Sequence, residues 1–134
     1  MASVPASPLA EFAAALLGER ELAPRARLLA HQVAELLPEA GIAIYSVESK
    51  EPPCWKSRAT AGDLELEYDE VPIDSCTLGA IAERREVVVF TAGELSREDY
   101  GHLNIKRSFA AITYFPIQIE EVLLGVIEIG RAHV

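Results

Sequence analysis

Apolar residues near the N-terminus recur at helical spacing. Ser7-Pro8 precede an apolar stripe that stops at Gly18, which predicts a short helix over residues 8–17. After Pro24 a second stripe predicts a helix over 25–37. We expect residues 1–23 to form a helical extension and residues 24–134 to form the main domain. The larger apolar residues of the two stripes are Leu9, Phe12, Leu16, Leu29, Val33 and Leu37.

Beyond Gly41 the apolar positions alternate with a period of about two, which is typical of strands. The chain ends in two β-rich segments joined by Glu120-Glu121, and this predicts a long antiparallel hairpin. A helix after Asp74-Ser75, which are ordinary N-cap residues, and a short helix near the capping-box residue Ser96 interrupt the strands. The predicted strands are 42–47, 55–61, 64–69, 86–90, 109–119 and 122–129, and the two helices are 77–85 and 96–104.

Composition narrows the function classes. With 134 residues, half of them hydrophobic, the chain can bury one sizeable core. Its net charge of −9 opposes binding to nucleic acid or to an anionic membrane, because both need clustered Lys and Arg. No apolar run approaches the roughly 18 residues of a membrane span, and no basic leader precedes the first helix, so we expect a soluble cytoplasmic protein. Cys54, Cys76 and three scattered histidines match no metal-ligand spacing, so we expect no metal.

Four stretches of the chain resemble the GAF domain, a sensory and regulatory module of bacterial signalling proteins. They are IAIYSVES, VPIDSCTLGAIAERREVVVF, RSFAAITYFPI and LLGVIEIG, and their order and spacing extend the resemblance over roughly residues 24–132. The resemblance implies an α+β fold with a central antiparallel sheet of five to six strands. N-terminal helices would cover one face, and short helices and loops would cap the other. A PAS-like domain is the alternative fold.

The resemblance also implies where a ligand would bind. GAF domains that bind small molecules hold them between the sheet and the cap, which corresponds here to about residues 72–82 and 91–107. Simpler roles stay open: Asp74 and Ser75 as helix caps, Cys76 and Phe109 as core residues, and His102 as a surface residue. The candidate pocket residues are Asp74, Ser75, Cys76, Thr77, Tyr100, His102, Phe109 and Tyr114.

Family signatures for particular ligands are missing. The cyclic-nucleotide signature consists of Asn-Lys, Phe and an Asp-Glu pair at a set spacing. This chain has Asn104, Lys106 and Phe109, but their spacing differs and the acidic pair is missing. Bilin-binding members attach their chromophore through a Cys-His pair, whereas Gly101 precedes His102 here, and Thr77 replaces the aromatic residue of a second bilin motif. GAF enzymes that reduce free methionine sulfoxide use three cysteines, and this chain has two. We expect no cofactor, no bound bilin or cyclic nucleotide, and no catalytic residue.

Three functions remain as hypotheses. The first is a non-catalytic sensor that binds a small molecule or partner and relays the signal through its helices, as a homodimer, to a covalently linked output domain. The second is a ligand-free dimerisation or protein-interaction module built from the six apolar stripe residues above, which might instead cover their own sheet. The third is a thiol-dependent redox sensor or a methionine-sulfoxide-reductase-like enzyme, in which Cys76 would react.

Overall fold

A computed structural model describes residues 22–48, 50–62, 64, 66, 68–75, 77–91 and 109–132. Two predicted helices, 8–17 and 96–104, lie outside these residues. Helix α1 spans Leu22–Leu36 and helix α2 spans Leu78–Arg84. The strands are β1 (Ala40–Glu48), β2 (Cys54–Gly62), β3 (Glu70–Pro72), β4 (Val88–Thr91), β5 (Phe109–Ile119) and β6 (Val122–Ala132).

The six strands form one antiparallel sheet in the order β3-β2-β1-β6-β5-β4. The first long strand, β1, therefore pairs with the last one, β6, in the centre of the sheet. The predicted α+β class and the hairpin of β5 and β6, with its turn at Glu120-Glu121, are confirmed. None of the helices in the described part of the chain is long and apolar enough to cross a bilayer.

Helix α1 covers one face of the sheet, which we call the α1 face. Ala26 and Ala30 are fully buried, and their small side chains let the helix approach β1 and β2 closely. Leu29, Val33 and Leu37 pack against the same core from the sides. The apolar residues that the sheet contributes to this core are Ala40, Ile42, Ile44, Ala59, Ala61, Ile117, Ile127 and Ile129.

Helix α2 packs on the opposite face, which we call the α2 face. Successive side chains of a strand point to opposite faces, so Ala43 and Tyr45 of β1 lie here while Ile42 and Ile44 lie under α1. Leu78 and Ile81 anchor α2, and both are fully buried. The buried core of this face consists of Ala43, Tyr45, Trp55, Leu64, Val71, Leu78, Ile81, Val88, Ile112, Tyr114 and Val126.

The predicted strand over 64–69 is described only in part, because residues 65 and 67 lie outside the described residues. Leu64 is buried and Leu66, a β-bridge residue, is partly buried against the α2 face, so the apolar alternation turns these side chains inward. Tyr68 in the same pattern is 60% exposed, and the described pairing of β3 with β2 includes Glu70 opposite Lys56. Edge strand β3 spans three residues. The strand over the whole of 64–69 stays a prediction.

Candidate functional site

A buried carboxylate lies in the middle of the α2 face. Glu128 belongs to the central strand β6 and has no solvent exposure. Two residues earlier, Val126 belongs to the α2-face core, so strand alternation places Glu128 on this face. The hydroxyl of Tyr45, on neighbouring β1, donates a hydrogen bond of 2.8 Å to Glu128 Oε1. This bond spans the two strands at the centre of the sheet.

Tyr114 extends this polar group toward α2. It lies on β5 directly opposite Glu128, and it is fully buried. Its hydroxyl shares a hydrogen bond with the hydroxyl of Thr77, the residue before α2. The ring of Phe90 packs edge-on against Tyr114, with 6.1 Å between ring centroids and an interplanar angle of 78°. We call Tyr45, Glu128, Tyr114 and Thr77 the polar cluster.

The connection from β3 to α2 is fixed over the same face. Trp55, fully buried on β2, donates a hydrogen bond of 3.1 Å from Nε1 to the carbonyl oxygen of Ile73. Gly79 in α2 donates its backbone N–H to the carbonyl of Ser75, and a Cβ added to Gly79 would lie 2.6 Å from the carbonyl oxygen of Asp74. This connection and α2 therefore pack tightly on each other beside the polar cluster.

Two of the predicted pocket residues, Thr77 and Tyr114, meet in the polar cluster. Asp74 is exposed and Ser75 is half-buried. Neither is the N-cap residue of α2, which was the structural role expected for them. The N-cap is Thr77, which makes no side-chain capping bond because its hydroxyl is bonded to Tyr114 instead. The preference for a cap at 74–75 is corrected for this reason.

The other predicted pocket residues are untested. Cys76, Tyr100 and His102 lie outside the described residues. Phe109 begins β5, where its backbone lies opposite Ala132, and its side chain is not among those described. Their roles stay predictions.

Sequence reasoning missed Glu128 and Tyr45. The available signal was the alternation in β6, where Glu128 is the one carboxylate of the strand and lies between Ile127 and Ile129. A charged residue at an inward position is almost never fully buried without a partner. Glu128 at this position therefore predicts a buried side chain that bonds to its carboxylate. Tyr45 could be found as a member of the next strand in space only once β1 and β6 were known to pair.

The stripe residues of α1 that the sequence offered as a dimer surface, Leu29, Val33 and Leu37, pack against their own sheet. This is the alternative that the sequence left open. Leu9, Phe12 and Leu16 lie outside the described residues. Two other leucines of α1 point outward: Leu28 is 60% exposed and Leu36 is 80% exposed. Any contact through α1 would therefore use these outer leucines.

Chemistry at a thiol or a metal gains little support from the described residues. Cys54 is buried in β2, and this burial raises the pKa of its thiol, which disfavours the reactive thiolate. Among the residues that the structure describes, no three His, Cys, Asp or Glu side chains are grouped so that they could hold a metal ion.

Several solved structures share this fold, and the fold is that of GAF domains. The GAF domain of an Acinetobacter phosphoenolpyruvate-protein phosphotransferase has a TM-score of 0.70 and 14% identity, covering 99% of this chain and 80% of its own. Free methionine-R-sulfoxide reductase from Neisseria meningitidis, in complex with its substrate, also has a TM-score of 0.70 and 14% identity, with coverages of 100% and 79%.

A third structure is the NreA protein of Staphylococcus aureus, mutated in its nitrate binding site. It has a TM-score of 0.66 and 15% identity, and the match covers 82% of this chain and 85% of that one. No protein-family model matches the sequence, and no curated protein matches it. At identities this low the likeness establishes the fold, which regulatory domains and reductases share.

Proposed function

We propose that this chain, which has the fold of GAF domains, is a non-catalytic sensory domain that binds a small molecule on its α2 face. The signal passes through its helices to an output domain. The observation that carries the proposal is the polar cluster, in which the fully buried Glu128 accepts a hydrogen bond from Tyr45.

The α2 face carries buried polar groups within an apolar core. It contains a carboxylate and three hydroxyl groups beside the apolar residues that pack with α2. Burying polar groups destabilises a fold unless they are hydrogen-bonded, and an apolar core would be the simpler solution. Small-molecule sites combine mostly apolar walls with a few placed polar groups. The α2 face has this composition.

The chemistry of the cluster indicates the class of ligand. A carboxylate offers about four acceptor positions, and a tyrosine hydroxyl both donates and accepts. A ligand with an ammonium group or several N–H donors can donate to carboxylate oxygens, whereas nitrate has no donor to offer them. Within this proposal the ligand is thus a cationic or zwitterionic small molecule.

Strand β1 provides a physical route between the ligand and α1. Tyr45 faces the polar cluster, while its chain neighbour Ile44 packs under α1. A ligand that prefers one position of Tyr45 therefore also favours one position of the β1 backbone beneath the helix. Binding shifts a population only by this differential affinity for two states.

Two measurements on freshly purified protein test the proposal. Native mass spectrometry detects a retained ligand, and thermal unfolding is followed with two added probes, free methionine-R-sulfoxide and sodium nitrate. We expect a retained mass, or stabilisation by the zwitterionic sulfoxide and not by nitrate, and we expect Glu128→Gln to abolish either effect. Glu83→Gln is the matched control, because Glu83 is an exposed carboxylate on α2.

Two outcomes would favour the competing hypotheses. A ligand-free dimer that neither probe stabilises would indicate an interaction module, for which the exposed Leu28 and Leu36 of α1 are the supporting observation. Turnover of free methionine-R-sulfoxide in the presence of dithiothreitol, lost in Cys76→Ser, would indicate a reductase, which the shared fold with such enzymes supports. Binding without turnover supports the sensor.

A further inference from the structure

Helix α2 is tied to the β5–β6 hairpin at both of its ends. At the N-terminal end Thr77 bonds to Tyr114, in the middle of β5. At the C-terminal end Arg85 donates from Nη1 to the carbonyl oxygen of Glu121, in the hairpin turn. Gln118 Nε2 donates back to the carbonyl oxygen of Arg85 across 3.1 Å. One hairpin thus holds both ends of a seven-residue helix.

The backbone at the C-terminal tie adopts an unfavourable conformation. Glu120 and Glu121 have φ values of 48° and 72°, and Arg85 has a φ of 55°. Positive φ at both positions of a two-residue turn is the geometry that Asn-Gly normally provides. Side chains with a Cβ disfavour it, and such residues persist where surrounding contacts hold them. Among the described residues, Arg85 holds this turn to α2 through its contacts with Glu121 and Gln118.

In the described part of the chain, the C-terminal half of α2 is packed on the sheet by the fully buried Ile81 and the partly buried Ala82. Leu78 and Ile81 are its fully buried side chains, whereas Glu83, Arg84 and Arg85 are exposed. Short segments with few buried contacts open at low free-energy cost. The hydrogen bonds between α2 and the hairpin therefore contribute a large part of the free energy that holds α2 against the sheet.

We infer that the contacts of Arg85 with Gln118 and Glu121 form a latch that controls how often α2 opens away from the α2 face. When the latch breaks, the Glu120-Glu121 turn is free to leave its strained conformation, and this relaxation favours the open state. Opening of α2 separates Thr77 from Tyr114 and uncovers the polar cluster. The role of the latch in ligand access rests on the proposed function, whereas the opening itself does not.

Hydrogen exchange of the full chain without added ligand, followed by mass spectrometry, tests the latch. We expect Arg85→Gln to accelerate exchange about ten-fold in peptides covering both 78–85 and 117–124, the effect of losing one charge-assisted hydrogen bond. The matched control is Arg84→Gln, which removes the neighbouring exposed guanidinium from α2. We expect exchange in this control to remain at the wild-type rate.

A second pair of variants separates strain from simple loss of a contact. Glu120→Asn combined with Glu121→Gly removes the strain of the turn from the closed state, so this variant alone should slow exchange of 78–85 relative to the wild type, whereas Arg85→Gln should still accelerate it in that background. Unchanged exchange of 78–85 in the Asn-Gly variant would show that release of turn strain does not favour opening and would overturn the inference. Faster exchange confined to 117–124 would also overturn it, because α2 would then be closed without Arg85. Since neither measurement uses a ligand, both remain decisive if small-molecule binding fails.

Discussion

At the scale of single residues, Glu128 and Tyr45 stabilise each other across β1 and β6. The hydroxyl of Tyr45 satisfies one acceptor position of a carboxylate that has no solvent exposure. Removing one partner of a buried hydrogen bond leaves the other unsatisfied, whereas replacing both with apolar groups is close to neutral. The energetic effect of the pair is therefore strongly non-additive.

We predict that Tyr45→Phe lowers the free energy of unfolding by about 1–3 kcal/mol, because Glu128 loses a donor. In a Glu128→Leu background Tyr45→Phe should cost less, because the carboxylate that accepts from Tyr45 is absent. Urea unfolding measures both, with Tyr68→Phe as the control, since Tyr68 is 60% exposed. Additive losses in the double variant would contradict the coupling and would mean that Glu128 is stabilised chiefly by other neighbours.

At the scale of elements, α2 has a glycine where helix propensity favours alanine. Alanine at an interior position stabilises a helix by about 1 kcal/mol relative to glycine. At Gly79, however, a Cβ would lie 2.6 Å from the carbonyl oxygen of Asp74, which belongs to the backbone and cannot rotate away. We therefore predict that Gly79→Ala destabilises the protein in urea unfolding.

The matched control for Gly79→Ala is Ala80→Gly, the adjacent residue of the same helix. Ala80→Gly should show only the loss expected from propensity, about 0.5–1 kcal/mol. A stabilising Gly79→Ala would mean that α2 shifts away from Asp74 at little energetic cost.

Most of these elements could be predicted from periodicity because burial imposes it. Helix α1 and strands β1, β5 and β6 each bury one or both faces along many residues, so their patterns are long. The segment 64–69 is harder to predict, because alternating burial alone does not fix which strand is its neighbour. The cap predicted at Asp74 is wrong. Helix α2 begins at Leu78 with Thr77 as its N-cap residue, and the Thr77 hydroxyl bonds to Tyr114 on the distant strand β5.

The candidate site was less predictable than the fold. Thr77 and Tyr114 came from the family resemblance, but their contact joins residues 37 positions apart in the chain. Tyr45 and Glu128 are 83 positions apart, and only the pairing of β1 with β6 brings them together. A hydrogen bond between distant strands leaves no local pattern. The isolated carboxylate in an apolar strand was the single sign of it.

At the scale of the whole molecule, one sheet separates two cores of different character. The α1 face packs against α1 through apolar side chains, while the α2 face contains the polar cluster. A fold that regulators and reductases share does not determine the function, which depends on the side chains of the site. Because β1 and β6 contribute residues to both cores, neither core can be disrupted without disturbing the strands that support the other.

This shared support predicts a single cooperative unfolding transition. Trp55, the sole tryptophan, is fully buried in the α2-face core, so its fluorescence reports that core, while far-UV circular dichroism reports the whole fold. The two signals should give coincident urea transitions. Ile44→Val under α1 and Ile112→Val on the α2 face should each shift both signals together, by about 0.5–1.5 kcal/mol. If Ile112→Val shifted only the fluorescence transition, the two cores would unfold separately.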